Sequence, residues 1–112
     1  MVVKTTSSPF GGQTRTRVLL ALRLLETGYA RELARILALP FSGVLKALSS
    51  LEGDGLVSGR LTGRTRVYRL NPTYFARNEL RTYLARLADA DADLRELVSA
   101  VRRRPRRAGK PL

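Results

Sequence analysis

The stretch from Leu39 to Leu70 constrains the fold of this chain most, because a helical period changes there into a strand period. The apolar residues at helical spacing in its first part are Leu39, Val44, Leu48 and Leu51. The following run, Glu52-Gly53-Asp54-Gly55, predicts the end of the helix, because glycine adopts left-handed backbone without steric cost. This stretch therefore predicts an amphipathic helix that stops abruptly before a different kind of element.

Two short strands are predicted after this helix, Leu56 to Arg60 and Arg64 to Leu70, with a tip at Thr62-Gly63. Along the second strand, Arg64, Arg66 and Tyr68 alternate with Thr65, Val67 and Arg69. A helix followed by an arginine-tipped hairpin is typical of a winged helix-turn-helix. In that fold the helix fits a DNA major groove, and the hairpin (the wing) reaches the backbone or minor groove beside it.

Two helices are predicted before this stretch. The first starts at a Thr14 or Thr16 cap and runs to about Glu26. Its apolar residues form one stripe and part of a second, which are Val18, Ala21, Leu22 and Leu25, then Leu20 and Leu24. A helix apolar on nearly two faces either lies in the middle of its own core or meets another subunit, and the sequence leaves both open.

The segments around these helices complete the predicted domain. Residues 1–13 predict a loose arm that Phe10 pins to the core. Tyr29 is expected to pair with the hairpin as a third strand, and Arg31 to Ala38 predicts the next helix. Pro40 suits the start of the candidate recognition helix, Phe41 to Glu52, since its missing N–H would be unpaired there anyway. We assign residues 14–72 to the winged helix-turn-helix.

The C-terminal part predicts a long helical extension over residues 73–104, followed by a disordered basic tail at 105–112. Its apolar seam has three-four spacing, at Leu80, Leu84, Leu87, Leu94, Val98 and Val101. Asp91 occupies a position where that seam requires an apolar residue, and Asp93 with Glu96 forms a capping-box pattern. A break or kink is therefore expected near Asp89 to Asp93. The fold class predicted is mainly α with a small β-hairpin wing.

The charge of the chain indicates a polyanionic partner. Lys and Arg total 21 against 9 acidic residues, which gives a net charge of +12. Double-stranded DNA is the partner that we predict, with an anionic membrane surface or a merely solubilising charge as the alternatives. The absence of Cys and His excludes disulfides and Cys- or His-ligated metal sites, so no metal or cofactor is expected. The N-terminus lacks an apolar run of signal-peptide length, and a cytoplasmic protein without membrane association is expected.

The segment from Arg15 to Pro72 resembles the winged-helix domain of arsenic-repressor-like (ArsR-type) transcriptional regulators. The matching positions are Glu32-Leu33-Ala34, the Val44, Leu48 and Leu51 spine, Leu51 to Val57, and Tyr68 to Pro72. The resemblance implies a symmetric homodimer that binds DNA and is paired through its first and last helices. Metal-sensing members use Cys or His, so the sensing chemistry is absent here. The start of the segment and the ending Asn71-Pro72-Thr73-Tyr74-Phe75 also resemble winged helices found beside nucleotidyltransferase domains.

The candidate DNA contacts lie on the outward face of the recognition helix, on the wing and at the start of the first helix. They are Phe41, Ser42, Lys46, Ser49, Ser50, Arg60, Arg64, Arg66, Arg15 and Arg17. Ser42 and Lys46 are predicted to reach base edges, and Phe41 or Leu45 to contact a thymine methyl group. The alternative for the wing is an edge hairpin that its charges protect from aggregation.

The candidate dimer contacts are Leu20, Leu24, Leu80, Leu84, Leu87 and Leu94. No catalytic residues are predicted, because no His or Cys is present and the aspartates at 89, 91 and 93 do not converge as a catalytic pair. The predicted function is that of a dimeric transcriptional regulator, expected to be a repressor. It binds double-stranded DNA with a preference for particular sequences. Two alternatives stay open: a winged-helix protein–protein adaptor, and an architectural DNA binder with little sequence preference.

Overall fold

The computed structural model describes residues 9–103. Within them the fold is mainly helical and winged helix-like, with five helices and a small three-stranded antiparallel sheet, as the sequence predicted. The elements in order are α1 (Gln13–Leu25), β1 (Gly28–Tyr29), α2 (Ala30–Leu37), α3 (Phe41–Gly53), β2 (Val57–Thr62), β3 (Thr65–Leu70), α4 (Arg77–Asp89) and α5 (Ala92–Arg103). The predicted basic tail and most of the predicted N-terminal arm lie outside the described residues.

Helix α1 lies at the centre of the fold. Residues 18–22 are all buried, and because five successive residues point to all sides of a helix, α1 is covered all round. The elements that contact α1 are α2, α3, α4, α5 and β3. A helix that is apolar all round is stable only when other elements surround it. The single chain supplies those elements itself, so α1 lies in the middle of its own core, the first of the two alternatives that the sequence left open.

The sheet confirms the predicted third strand. Its order is β1-β3-β2, with Gly28 paired to Tyr68 and Tyr29 to Val67. Strands β2 and β3 form a hairpin in which Val57 lies opposite Leu70 and Thr62 opposite Thr65. Val57 and Leu70 are buried at the base of this hairpin, and the exposed far end projects as the wing.

A short turn joins α2 to α3. Ala38 adopts left-handed backbone with φ of 56°, and its N–H donates to the carbonyls of Ala34 and Arg35. This left-handed C-cap ends α2. Pro40 is then the N-cap of α3, whose first residue is Phe41. The predicted spine of α3 is confirmed, because Val44, Leu48 and Leu51 are completely buried. Ala47 is also buried.

The predicted break in the C-terminal helical segment lies between Asp89 and Ala92. The cap of α5 is Asp91 and not the predicted Asp93: its Oδ1 accepts a hydrogen bond of 3.0 Å from the N–H of Leu94. Its Oδ2 lies 3.5 Å from Nη1 of Arg17 on α1. These two contacts explain why a carboxylate occupies a buried position in an otherwise apolar seam.

The leucines predicted as dimer contacts find partners within the single chain. Leu20, Leu80, Leu84 and Leu94 are buried in the core of the single chain, and Leu24 and Leu87 are half-buried against it. The reason is the break at Asp91, which lets α5 fold back against α1, α2 and α4. The apolar excess that suggested a dimer interface is therefore covered internally.

Two predictions about the start of the chain have opposite outcomes. The predicted threonine cap is wrong: α1 begins at Gln13, and the buried Thr16 donates its hydroxyl hydrogen to the carbonyl of Gly12 at 2.8 Å. Phe10 packs against the hydrophobic core as predicted, and its ring contacts that of Tyr83 with centroids 5.9 Å apart; residues 1–8 of the predicted arm lie outside the described residues. None of the helices in the described part of the chain is long and apolar enough to span a membrane.

Burial of Leu84 in the single chain generates a prediction about stability. Replacing Leu84 by Ala should lower the free energy of unfolding by about 2–5 kcal/mol, because a fully buried leucine leaves a cavity. Leu97, on the same C-terminal segment and 39% exposed, provides the matched control, and Leu97→Ala should change it by no more than about 0.5 kcal/mol. Urea unfolding of both variants tests this, and equal effects would contradict the packing of α4 described here.

Candidate nucleic-acid interface

The outward face of α3 is the predicted base-reading surface, and the structure leaves it uncovered. Ser42, Lys46 and Ser49 are exposed, and the described residues give none of these side chains a hydrogen-bond or ion-pair partner. Phe41 and Leu45, one helical turn apart, are 36% and 40% exposed. This face therefore combines one cation, two hydroxyls and two large apolar side chains.

The wing carries its arginines on different faces. Arg60 lies opposite Val67 and Leu61 opposite Arg66. Directly paired residues share a face and successive residues alternate, so Arg60 and Arg66 point to opposite sides of the hairpin. Arg64 follows Gly63 at the tip, where φ of Gly63 is 65°, a value that a tight two-residue hairpin turn requires and glycine adopts freely. The three wing arginines therefore do not share one face: Arg60 and Arg66 lie on opposite sides of the hairpin and Arg64 lies at its tip.

One carboxylate ties the wing to the recognition helix. Oε2 of Glu52, near the end of α3, lies 2.6 Å from Nη2 of Arg66 on β3. The same oxygen accepts a hydrogen bond of 3.1 Å from the N–H of Gly59 on β2. We call this set of contacts among Glu52, Gly59 and Arg66 the wing latch. The hydrogen bond to Glu52 and the negative charge of that carboxylate raise the pKa of Arg66 above its ordinary value.

Gly59 leaves the space that the wing latch occupies. A Cβ atom at this position would lie 2.8 Å from Nε of Arg66 and 3.0 Å from Oε2 of Glu52. A Cβ atom would therefore have to displace the guanidinium of Arg66, the far end of a flexible side chain. Glycine provides clearance for the latch here rather than a positive φ.

Two of the predicted DNA contacts at the start of α1 are held within the chain. Arg15 donates to the carbonyl of Phe10 and to Oγ of Ser50, and its Nη2 lies 2.8 Å from Oδ2 of Asp54. Ser50, another predicted contact, is thereby the acceptor of Arg15. Arg17 pairs with Asp91, and the side chains of Arg15 and Arg17 are only 20% and 19% exposed. These residues hold α1 against α3 and α5.

The cations left for an anionic partner are fewer than predicted. Among the described residues, Lys46, Arg60 and Arg64 have no hydrogen bond or ion pair to another side chain. Arg66, Arg15 and Arg17 each have an acidic partner. The structure thus separates the predicted set into available cations and cations that brace the fold.

A groove beside the recognition helix contains functional candidates that the sequence analysis missed. It has a volume of about 730 Å³ and runs between α2, the first turns of α3 and β3. Exposed Tyr29 and buried Tyr68 line it, and Cζ of Arg31 lies 4.3 Å from the ring centroid of Phe41. Spacing on one helix could not reveal this groove, because three separate elements form it.

The described residues contain no group of three or more His, Cys, Asp or Glu side chains placed to hold a metal ion. Comparison of the sequence with protein-family models and with curated proteins found no match. The candidate interface consists of an uncovered helix face, a wing held by the wing latch, and three cations, Lys46, Arg60 and Arg64, without side-chain partners among the described residues.

The clearance at Gly59 predicts how the wing latch can be opened. Gly59→Ala should displace Arg66 from Glu52, because the added methyl group takes the space of the guanidinium. The amide at residue 59 and its strand neighbours should then exchange hydrogen with solvent faster, as measured by NMR. Overall stability should change little, since the displaced atoms are the far end of a flexible, exposed side chain.

Gly43→Ala is the matched control, because a Cβ atom at Gly43 meets nothing within 4 Å. It should leave exchange in the wing unchanged. Unchanged exchange in both variants would mean that the latch does not hold the wing in solution.

Proposed function

We propose that this protein is a dimeric, double-stranded-DNA-binding transcriptional regulator of the repressor kind, with α3 in the major groove and the wing on the backbone or minor groove. The observation that carries the proposal is the uncovered outward face of α3, with the wing latched beside it. An α-helix, about 10–12 Å in diameter with its side chains, fits the major groove, which is about 12 Å wide. The net charge of +12 supports a polyanionic partner.

The cations divide into two roles in this proposal. Lys46 lies on the exposed face of α3, where it contacts base edges. Arg60 and Arg64 extend from the wing, where they contact phosphate oxygens and fix the position of the domain. Arg66 acts indirectly, because its bond to Glu52 sets the angle between the wing and α3.

The base-reading face is sparse, and this limits the sequence preference that we propose. Beside Lys46, it offers Ser42, Ser49 and the apolar side chains of Phe41 and Leu45. Apolar side chains distinguish a base only by contact with a thymine methyl group. An architectural binder with little sequence preference is therefore the second candidate, and selection of bound sequences from a random duplex pool separates the two.

Dimerisation remains part of the proposal, although the buried leucines no longer carry it. The large apolar side chains still exposed on the C-terminal helices are Tyr83 on α4, 46% exposed, and Leu97 on α5, 39% exposed. A symmetric dimer formed through the C-terminal helices would bind two DNA half-sites about one helical turn apart. The proposal also requires a location where the chain meets DNA, and the cytoplasm predicted from the sequence satisfies this.

Salt dependence tests the electrostatic part of the proposal. Affinity for a duplex should fall on the order of a hundredfold or more between low and physiological salt, because several phosphates are neutralised on binding. Fluorescence anisotropy with a labelled duplex measures this. Binding that is absent at low salt, or that does not change with salt, would contradict the proposed function.

Two single substitutions distinguish base recognition by Lys46 from phosphate contact by Arg64. Lys46→Ala should cost about 1–3 kcal/mol on a selected site and less on a scrambled one, because a base contact is lost. Arg64→Ala should weaken both duplexes by a similar factor, because a phosphate contact carries no sequence information. Titrations of both variants against both duplexes provide the measurement.

Arg86→Ala is the control for loss of one positive charge, because Arg86 is exposed on α4, away from α3 and the wing. It should affect both duplexes less than Arg64→Ala does. If Lys46→Ala shifted the selected and scrambled duplexes equally, no base would be read through Lys46, and the architectural candidate would replace the regulator.

A further inference from the structure

The groove between α2, α3 and β3 combines an apolar floor with basic walls. Its floor includes the exposed parts of Phe41 and Leu45, and Tyr29 adds a third large side chain that is 44% exposed. Its volume of about 730 Å³ is within the range of ligand-binding clefts, roughly 300–1,000 Å³. Three partly exposed large apolar residues that converge on one concavity mark an interaction site more strongly than the same residues scattered over a surface.

The walls of the groove give the charge that its occupant must have. Four arginines line it, against the single carboxylate of Glu32. That carboxylate accepts a hydrogen bond of 3.4 Å from the N–H of Tyr29 and so caps α2. Arg35 on α2 and Arg64 on the wing flank the floor from two sides, and neither has an ion-pair partner among the described residues. An occupant with several negative charges complements this arrangement.

The floor distinguishes an acidic protein segment from an unpaired nucleic-acid base. Stacking of a base requires the free face of an aromatic ring. The guanidinium of Arg31 already lies over the ring of Phe41, and that of Arg66 lies 5.8 Å from the ring centroid of Tyr68, which is 5% exposed. Among the described lining residues, the ring of Tyr29 is the one without an arginine over it, and Leu45 offers no ring, so the groove provides one free stacking surface rather than a series of them. Aliphatic contact with Leu45 and the edge of Phe41 suits a leucine or phenylalanine side chain better than a base.

We propose that this groove is the docking site for a short acidic, amphipathic segment of a partner protein. One or two large apolar side chains of that segment pack on Phe41 and Leu45. Its carboxylates pair with Arg35 and Arg64 on either side. The inner arginines, Arg31 and Arg66, keep their contacts with the aromatic rings.

Such a partner excludes DNA from the same face, and this consequence rests on the proposed function. Phe41 and Leu45 belong both to the groove and to the outward face of α3, and Arg64 belongs both to the groove and to the wing. A segment in the groove therefore covers part of the surface that would enter the major groove. The acidic partner would act as a competitor that releases the regulator from its site.

The docking site is tested directly with the full chain and two fluorescently labelled peptides, in the absence of DNA. The first peptide, Ac-DDLEELFEDL-amide, is acidic and amphipathic. The second, Ac-DDAEEAAEDA-amide, keeps every charge and replaces each large apolar side chain by alanine. The first should bind at least about tenfold more tightly, because burial of one leucine or phenylalanine accounts for that factor or more.

Variants locate the binding on the protein. Leu45→Asp should weaken the first peptide by at least about tenfold, because it places a buried charge beside the peptide's carboxylates. Phe75→Asp is the control, since Phe75 is an exposed large apolar residue outside the groove and outside the surface proposed for the dimer, and it should leave peptide binding unchanged. Circular dichroism checks that both variants are folded. Equal binding of the two peptides, or no effect of Leu45→Asp, would overturn the proposal.

A final arm connects docking with DNA. The first peptide should displace a labelled duplex from the protein, and the alanine peptide should do so only at about tenfold higher concentration. Displacement that fails while the first peptide binds would overturn exclusion of DNA. Failure of the chain to bind any duplex would overturn the proposed function and leave the direct peptide measurement decisive for docking. Tight binding of single-stranded oligothymidine that Leu45→Asp abolishes would instead assign the groove to nucleic acid.

Discussion

Burial of α1 on all sides is the constraint on which the rest of this structure depends. Five successive residues of this helix, 18–22, are buried, and no single neighbouring element could cover them. Helices α2 and α3 with β3 contact it, and α4 and α5 fold back to complete the enclosure. The orientation of α3 follows from this packing, because its spine faces the core and leaves the opposite face to solvent. The candidate interface is thus a consequence of how the core is closed.

Local patterns in the sequence predicted the elements well. The spine at Val44, Leu48 and Leu51, the third strand at Tyr29 and the break before α5 are all found, because spacing and turn residues encode them within a few positions. The dimer assignment of the core leucines rested on surplus apolar surface. Helical periodicity shows how much apolar surface must be buried. It does not show whether the same chain or a second subunit covers that surface.

The candidate site was less predictable, because it depends on pairs that are distant in sequence. The sequence indicates which residues are arginines, but not that Arg15 reaches Asp54 or that Arg17 reaches Asp91. The wing latch joins residues 14 positions apart, and the groove joins three elements. The alternation along β3 places Arg66 and Val67 on opposite faces, yet only the position of Glu52 shows that this cation is already paired.

The wing latch has a consequence for the thermodynamics of binding. A free two-stranded hairpin loses conformational entropy when a partner fixes it, and that loss subtracts from affinity. Glu52 fixes both strands of the wing to α3 before any partner arrives, since it holds Gly59 on one strand and Arg66 on the other. The wing is therefore pre-organised. Arg66 is not available to contact a ligand, but its bond to Glu52 reduces the conformational entropy that the wing loses on binding.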